Sequence, residues 1–341
     1  MTTGFHKRGL RRRTLIGAGL AAPLIARSAR AETRQLRIAR QFGVGYAQMA
    51  LLEDQKLIEK HAADAGLGTV EVTWSTFRSS DVMNDALLSG SLDIASLGIP
   101  GLATIWDRTM GGRSEVKGLI GLNIAPLSLV TRDPAVKTIA DYKPGMKIAL
   151  PAVKVSNQAI FLQMASAKLW GPAEYARLDP LTVSMSHPDA VVALLSGGEI
   201  TSYFGSPPFT QRALKTPGVH EVTNSAEILG EAASFNILGT STRFYNDNPR
   251  LAAAFLAALR AATDAINADK AKAAATYVRV TADKTPLPDI IEVMTSGVTY
   301  TLDVRGTLPI CQFMASTGVL KHRPQAWTDY MLPSATANPG S

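Results

Sequence analysis

The stretch LLSGSLDIASLGIP at positions 87–100 returns 107 positions later as LLSGGEITSYFGSP at positions 194–207. The two align without gaps. Leu87, Leu88, Ser89 and Gly90 match Leu194, Leu195, Ser196 and Gly197, and Gly98 and Pro100 match Gly205 and Pro207. Both copies have the same structural meaning: an acidic residue (Asp81, Asp189) read as a helix N-cap, an apolar helix, a glycine stop, a short apolar strand and a Gly-x-Pro turn. A helix–strand unit repeated at this distance points to two similar α/β lobes in one chain.

The flanking sequence extends the pattern. Short apolar runs at 36–39, 70–74, 147–150 and 181–185 read as strands, with Val70, Val72 and Trp74 sharing one face. Helical periodicity covers 46–60 (Met49, Leu52, Leu57, Ile58), 156–169, 249–267 and 269–278, with Pro249 at a helix start. Strands alternating with helices predict mostly parallel sheets covered on both faces, hence an α/β fold. Residues 32–341 suffice for two domains of roughly 100–200 residues each.

The formal charge of +7 looks like an invitation to nucleic acid, but its distribution argues otherwise. Lys7, Arg8, Arg11, Arg12, Arg13, Arg27 and Arg30 lie in the first 31 residues, which hold no Asp or Glu, leaving 28 basic against 28 acidic side chains in the rest. A balanced chain has no net field to steer a phosphate backbone. The leader has the three parts of an export signal: a basic start, a light apolar stretch from Leu15 to about Ala26, and Ala29-Arg30-Ala31 before a new N-terminus near Glu32. A membrane span needs about 20 apolar residues, more than this stretch supplies. Arg11-Arg12-Arg13-Thr14-Leu15-Ile16 resembles a twin-arginine export motif, with Thr14 where that motif prefers Phe. Cys311, the only cysteine, has no partner for an internal disulfide, and no cysteine stands at the cleavage site to take a lipid. Beyond residue 31, no apolar run is expected to span a membrane; 252–262 is interrupted by Arg260. A soluble periplasmic protein held by its core is the expectation.

Several segments, in order, carry a resemblance: FGVGYA at 42–47, ALLSGSLDIA at 86–95, PLSLV at 126–130, IADYKPGMKIA at 139–149, and 189–197 followed by GSPPF at 205–209. Across 36–230 the chain resembles the periplasmic solute-binding proteins of ABC importers for nitrate, taurine and other sulfonates, bicarbonate and a thiamine pyrimidine precursor. It departs from them at Ile200-Thr201, where relatives often have Asp-Ala, and at Lys154-Val155-Ser156, which replaces a Gly-Ser/Thr-rich helix opening. The resemblance implies a type II periplasmic-binding-protein fold, in which two lobes joined by two crossing hinge strands close over a ligand in the cleft between them. Lobe one would hold 33–125 and 231–335, and lobe two 126–230, with crossings near 126–130 and 234–238. It also implies delivery of a small anion, such as a sulfonate, nitrate or organic carboxylate, to membrane permease and ATPase subunits. The binding protein would be a monomer without cofactor or metal.

In open parallel sheets, ligands sit beyond the carboxyl ends of the strands. That rule selects the loops 43–46, 76–80, 98–101, 154–157 and 205–209. Gly45 and Gly98 allow close backbone approach. Ser79, Ser80 and Ser156 stand at helix starts, where free N–H groups and the helix dipole favour an anion, or where the serines act simply as N-caps. Arg78 and Lys154 are the cations of these loops, each able instead to face water. Asn123 precedes a crossing and is a candidate donor, and Asn157 and Ser206 fall within the selected loops. Tyr46 and Phe209, with Phe77, offer faces for a flat heteroaromatic such as a pyrimidine, although Phe209 also suits a core. Trp74 reads as core. An exported enzyme is the competing class. It finds little support, because the histidines show no paired metal spacing, Gly43-x-Gly45 lacks the third glycine of a dinucleotide fingerprint, and no Gly-x-Ser-x-Gly turn occurs.

Overall fold

The computed structural model describes residues 1–4 and 31–341, so the leader read at 1–31 falls, apart from its ends, outside the described residues. The chain opens with β1 (Gln35–Arg40), passes through α1 (Ala47–Gln55) and α2 (Leu57–Asp64), and returns as β2 (Glu71–Thr76). Then come α3 (Ser80–Leu88), β3 (Ile94–Gly98), α4 (Ile99–Thr109) and β4 (Val116–Ile124). A second sheet follows: β5 (Ser128–Thr131), β6 (Lys147–Leu150), α5 (Asn157–Trp170), β7 (Thr182–Ser184), α6 (His187–Leu195), β8 (Ile200–Gly205), α7 (Phe209–Leu214) and β9 (His220–Asn224). After α8 (Ser225–Leu229) the chain rejoins the first sheet with β10 (Ser234–Ser241). It ends in α9 (Thr242–Asp247), α10 (Pro249–Ala268), α11 (Lys270–Thr281), α12 (Leu287–Ser296), β11 (Thr299–Tyr300) and α13 (Leu308–Ser316), before short C-terminal turns.

The first sheet has the order β11-β4-β10-β3-β1-β2 and the second β7-β6-β8-β5-β9. Starting from β2 in one and β7 in the other, the plans coincide. Three parallel strands are followed by an antiparallel strand, β10 or β5, and then by β4 or β9. The repeated stretch therefore falls on equivalent elements: the end of α3 with β3, and the end of α6 with β8. The helices before them are capped two and three residues earlier than the sequence suggested. Ser79 and Ser186 are the N-caps, while Asp81 and Asp189 sit in the first turns, where a carboxylate meets the positive end of the helix dipole.

Burial explains the strand compositions. All five residues of β3 are buried, as expected of a central strand with helices on both faces, whereas β2 at the sheet edge alternates exposed and half-buried side chains. The helix expected over 46–60 is broken at Lys56, which takes a left-handed conformation (φ 50°) between α1 and α2. The break lets α1 stay buried along most of its length while α2 turns an amphipathic face to the lobe. By length and hydropathy α10 could cross a membrane, contrary to the sequence reading; its Leu251, Phe255, Leu259 and Ile266 are instead buried in the first lobe. Cys311 is free and buried there too. The chain passes between the sheets at 125–127 and again between β9 and β10, so 234–238 already lies inside a first-sheet strand.

Candidate functional site

The carboxyl ends of β1, β3, β6 and β7 face one another across the seam between the lobes. They enclose an inner cavity with room for about one water molecule, about 20 Å³. Gln41, Tyr46, Ser79, Ser80 and Gly98 form the first-lobe wall; Pro151, Ser156, Asn157, Gln158 and His187 form the second; Phe235 and Asn236 of β10 complete the lining. The seam is shut. Asn157 Nδ2 donates to the Phe235 carbonyl at 3.1 Å, and a Cβ on Gly98 would stand 2.5 Å from that same nitrogen. At the rim, Lys215, just past the end of α7, reaches Asp289 (2.8 Å) and Glu292 (3.1 Å) of α12, and the Tyr175 ring meets Phe313 edge-on at 6.4 Å.

Three helices of nine or more residues, α3, α5 and α6, begin at this cavity with serine N-caps. Two of the wall serines are already engaged. Ser80 Oγ accepts from the Gly98 N–H (3.0 Å) and from Gln41 Nε2 (3.2 Å), while Ser156 Oγ caps Ala159 N–H (3.2 Å) and donates to the Ala152 carbonyl (2.7 Å). Tyr46 donates to Asn236 Oδ1 at 2.9 Å. Other atoms are left over: Ser79 Oγ, Asn157 Oδ1, Gln158 Nε2 and Asn236 Nδ2 are buried without a partner among the described residues. Leaving such groups unpaired costs about 1–3 kcal/mol each, so their gathering at one seam points to a polar guest. None of the lining side chains carries a formal charge at neutral pH, because burial pushes the His187 pKa down to about 3.

Outside the inner cavity lies a larger chamber of about 270 Å³, sharing Gln41 with it. Here charges appear: Arg40, Arg212 and Lys284 line it together with Asp283, Phe209 and Tyr277. Arg40 is spoken for by an ion pair with Glu53 and lies over the Trp74 ring, 5.5 Å from its centroid. Asp283 accepts from the Tyr277 hydroxyl at 2.6 Å. Arg212 and Lys284 form no ion pair among the described residues.

A profile of the NMT1-like family matches residues 29–281. The chain belongs to the NMT1-like family. No curated protein sequence matches it. Solved structures show the fold. The alkanesulfonate-binding protein SsuA from Xanthomonas axonopodis pv. citri, bound to MOPS, has TM-score 0.68 at 18% identity, over 86% of this chain and 96% of that one. SsuA from Escherichia coli, a periplasmic aliphatic sulphonate binding protein, has TM-score 0.64 at 19% identity, over 88% and 99%. The periplasmic nitrate-binding protein NrtA from Synechocystis PCC 6803 has TM-score 0.66 at 15% identity, over 88% and 84%. This NMT1-like chain thus has the two-lobed periplasmic-binding-protein fold.

Of the residues singled out from sequence, Tyr46, Ser79, Ser80, Gly98, Ser156 and Asn157 meet around the inner cavity of this NMT1-like protein. Phe209 lines the outer chamber, its ring stacked on His187 at 5.7 Å and 15°. Gly45 and Asn123 stand behind the wall. Asn123 Nδ2 donates to the Gly45 carbonyl, and a Cβ on Gly45 would come within 3.1–3.3 Å of Asn236, Phe235 and Asn123. Asn123 thereby fixes a loop and does not face the cavity. Ser206 is buried with its hydroxyl unpaired but lies outside both linings. Arg78 and Lys154 are exposed and line neither space. Lys154 acts on Asp179, whose carboxyl is pushed up by burial and pulled back by Gln163 and by the lysine's charge. Phe77 packs half-buried on the main core. Gln41, Pro151, Gln158, His187, Phe235 and Asn236 were missed. His187 was within reach of the same rule, since it opens the helix after β7, a loop left out of the selection. Phe235 and Asn236 fall within the crossing expected near 234–238, but they stand at the amino end of an antiparallel strand, where a rule about carboxyl ends does not look.

Proposed function

We propose that this chain is the periplasmic solute-binding component of an ABC-type importer, with a small anion such as a sulfonate, nitrate or organic carboxylate as its ligand. The observation that carries the reading is the closed seam, where three helix starts and four unpaired buried polar atoms converge. Free N–H groups at helix starts suit an oxyanion without a countercharge. The outer chamber adds Arg212 and Lys284 on its approach. Two of the solved relatives are named for sulfonate and one for nitrate, which agrees with this choice.

In this reading, lobe one comprises residues 33–125 and 231–335, and lobe two residues 126–230. A ligand gains contacts from both lobes only when the cleft is closed and so favours that state; the permease and ATPase subunits then receive the closed form. The protein works as a monomer, catalyses no reaction and needs no cofactor or metal. The leader directs export by the twin-arginine route, and cleavage after Ala31 releases a soluble protein. An exported species whose mass corresponds to a start far from Glu32 would contradict that cleavage.

A second reading has one observation in its favour. The inner cavity is lined by no charged side chain, and Tyr46, Phe235 and the His187 ring offer faces for a flat heteroaromatic of the pyrimidine kind once the lobes part enough to admit it. Calorimetry separates the two, with taurine, ethanesulfonate, nitrate, benzoate and 4-aminopyrimidine as titrants and small-angle scattering alongside. The anion reading expects a sulfonate, nitrate or carboxylate to bind and the protein to tighten. Binding of the aminopyrimidine alone would replace it with the second reading.

A further inference from the structure

His187 is 3% exposed, lines the inner cavity, and stacks on Phe209. Its Nδ1 lies 2.5 Å from the Tyr203 hydroxyl. No other hydrogen bond of that hydroxyl occurs among the described residues. The tyrosine proton therefore goes to the one acceptor beside it, His187 Nδ1, which must be the unprotonated nitrogen of a neutral ring. The ring proton is left on Nε2, which has no hydrogen-bond partner among the described residues. Gln158 Nε2, on a side chain 2% exposed, and Asn236 Nδ2, on one 0% exposed, are unpaired donors lining the same cavity.

We propose that His187 is a ligand-recognition residue, held as the Nε2–H tautomer by a relay from the Tyr203 hydroxyl, and that with Gln158 and Asn236 it binds an acceptor oxygen of the ligand through uncharged donors alone. The proposal rests on the solute-binding reading and deepens it. A site made of neutral donors discriminates by where acceptors sit and not by net charge. A ligand that turns a cationic group toward these three donors is disfavoured in that orientation. The relay also explains why a histidine, one of the less easily buried side chains, is tolerated here: both of its nitrogens have assigned tasks.

Two measurements test it. A long-range proton–nitrogen NMR spectrum of nitrogen-15-labelled protein, with His187→Gln to assign the ring, reads the tautomer directly. The expected result is a neutral ring protonated on Nε2 at pH 7, with the preference lost in Tyr203→Phe. A proton on Nδ1 would overturn the relay. Taurine, ethanesulfonate, nitrate and benzoate are then screened by thermal shift, and any compound that stabilises the protein is titrated against His187→Gln and His187→Phe. Glutamine keeps an N–H donor and should hold affinity within about tenfold, whereas phenylalanine should lose about tenfold or more. If a stabilising compound binds the folded phenylalanine variant as well as the parent protein, the proposal fails while the solute-binding reading stands. If no compound stabilises the parent protein, the anion reading fails and takes the proposal with it.

Discussion

His187 is folded as a neutral ring, and that has a consequence for stability. Burial lowers its pKa from 6.5 to about 3. Above pH 6.5 the folded and unfolded chains both leave it neutral. Below 6.5 the unfolded chain takes up a proton that the folded one refuses, so stability falls as the pH drops toward 3. Between pH 7 and pH 5 this one group removes about 2 kcal/mol. Urea unfolding of the parent protein and of His187→Gln at both pH values should show a smaller acid loss in the variant. Equal losses would mean that the ring is not buried neutral. Gly45 illustrates a different residue-level constraint: its loop is held by Asn123 from behind and Asn236 from the side, and a methyl group there would press on both.

At the level of elements, the parts of the chain legible in sequence were those whose signals are local. β6 runs over Lys147–Leu150, as its apolar run indicates. Ser156 caps α5 and Asp269 caps α11, accepting from the Lys272 N–H at 2.9 Å, because short polar side chains beside helical periodicity have few other uses. The repeated Leu-Leu-Ser-Gly unit marked two equivalent strands because the same packing problem was solved twice. What stayed hidden depends on the other lobe. Lys56 breaks a helix with no glycine or proline to announce it, since only tertiary packing sets the direction α2 must take. Charge is visible in a sequence but direction is not, which is why Arg78 and Lys154 attracted attention and Arg212 and Lys284 did not. β10 meets the cavity near its amino end, so a rule about carboxyl ends could not select Phe235 or Asn236.

For the molecule as a whole, the question is what keeps the two lobes shut. The Lys215 bridges to Asp289 and Glu292 are solvent-exposed, and salt screens such pairs. They set orientation more than strength. The tightest fit across the seam is Gly98 against Asn157. Gly98 has an ordinary backbone conformation (φ −68°), so its own lobe accepts alanine without strain. The added methyl would meet Asn157 at 2.5 Å, and only in the closed state. Gly98→Ala should therefore leave folding intact while shifting the lobes toward open. Expected results are a larger radius of gyration by small-angle scattering and a ligand affinity at least about tenfold weaker, since binding must now work against the closed-state clash. Adding Asn157→Ala removes the obstructing amide and should restore compaction in the double variant, although it also forfeits the bond to the Phe235 carbonyl. Should Gly98→Ala scatter and bind like the parent protein, Gly98 and Asn157 do not meet in solution, and closure must be sought at another contact.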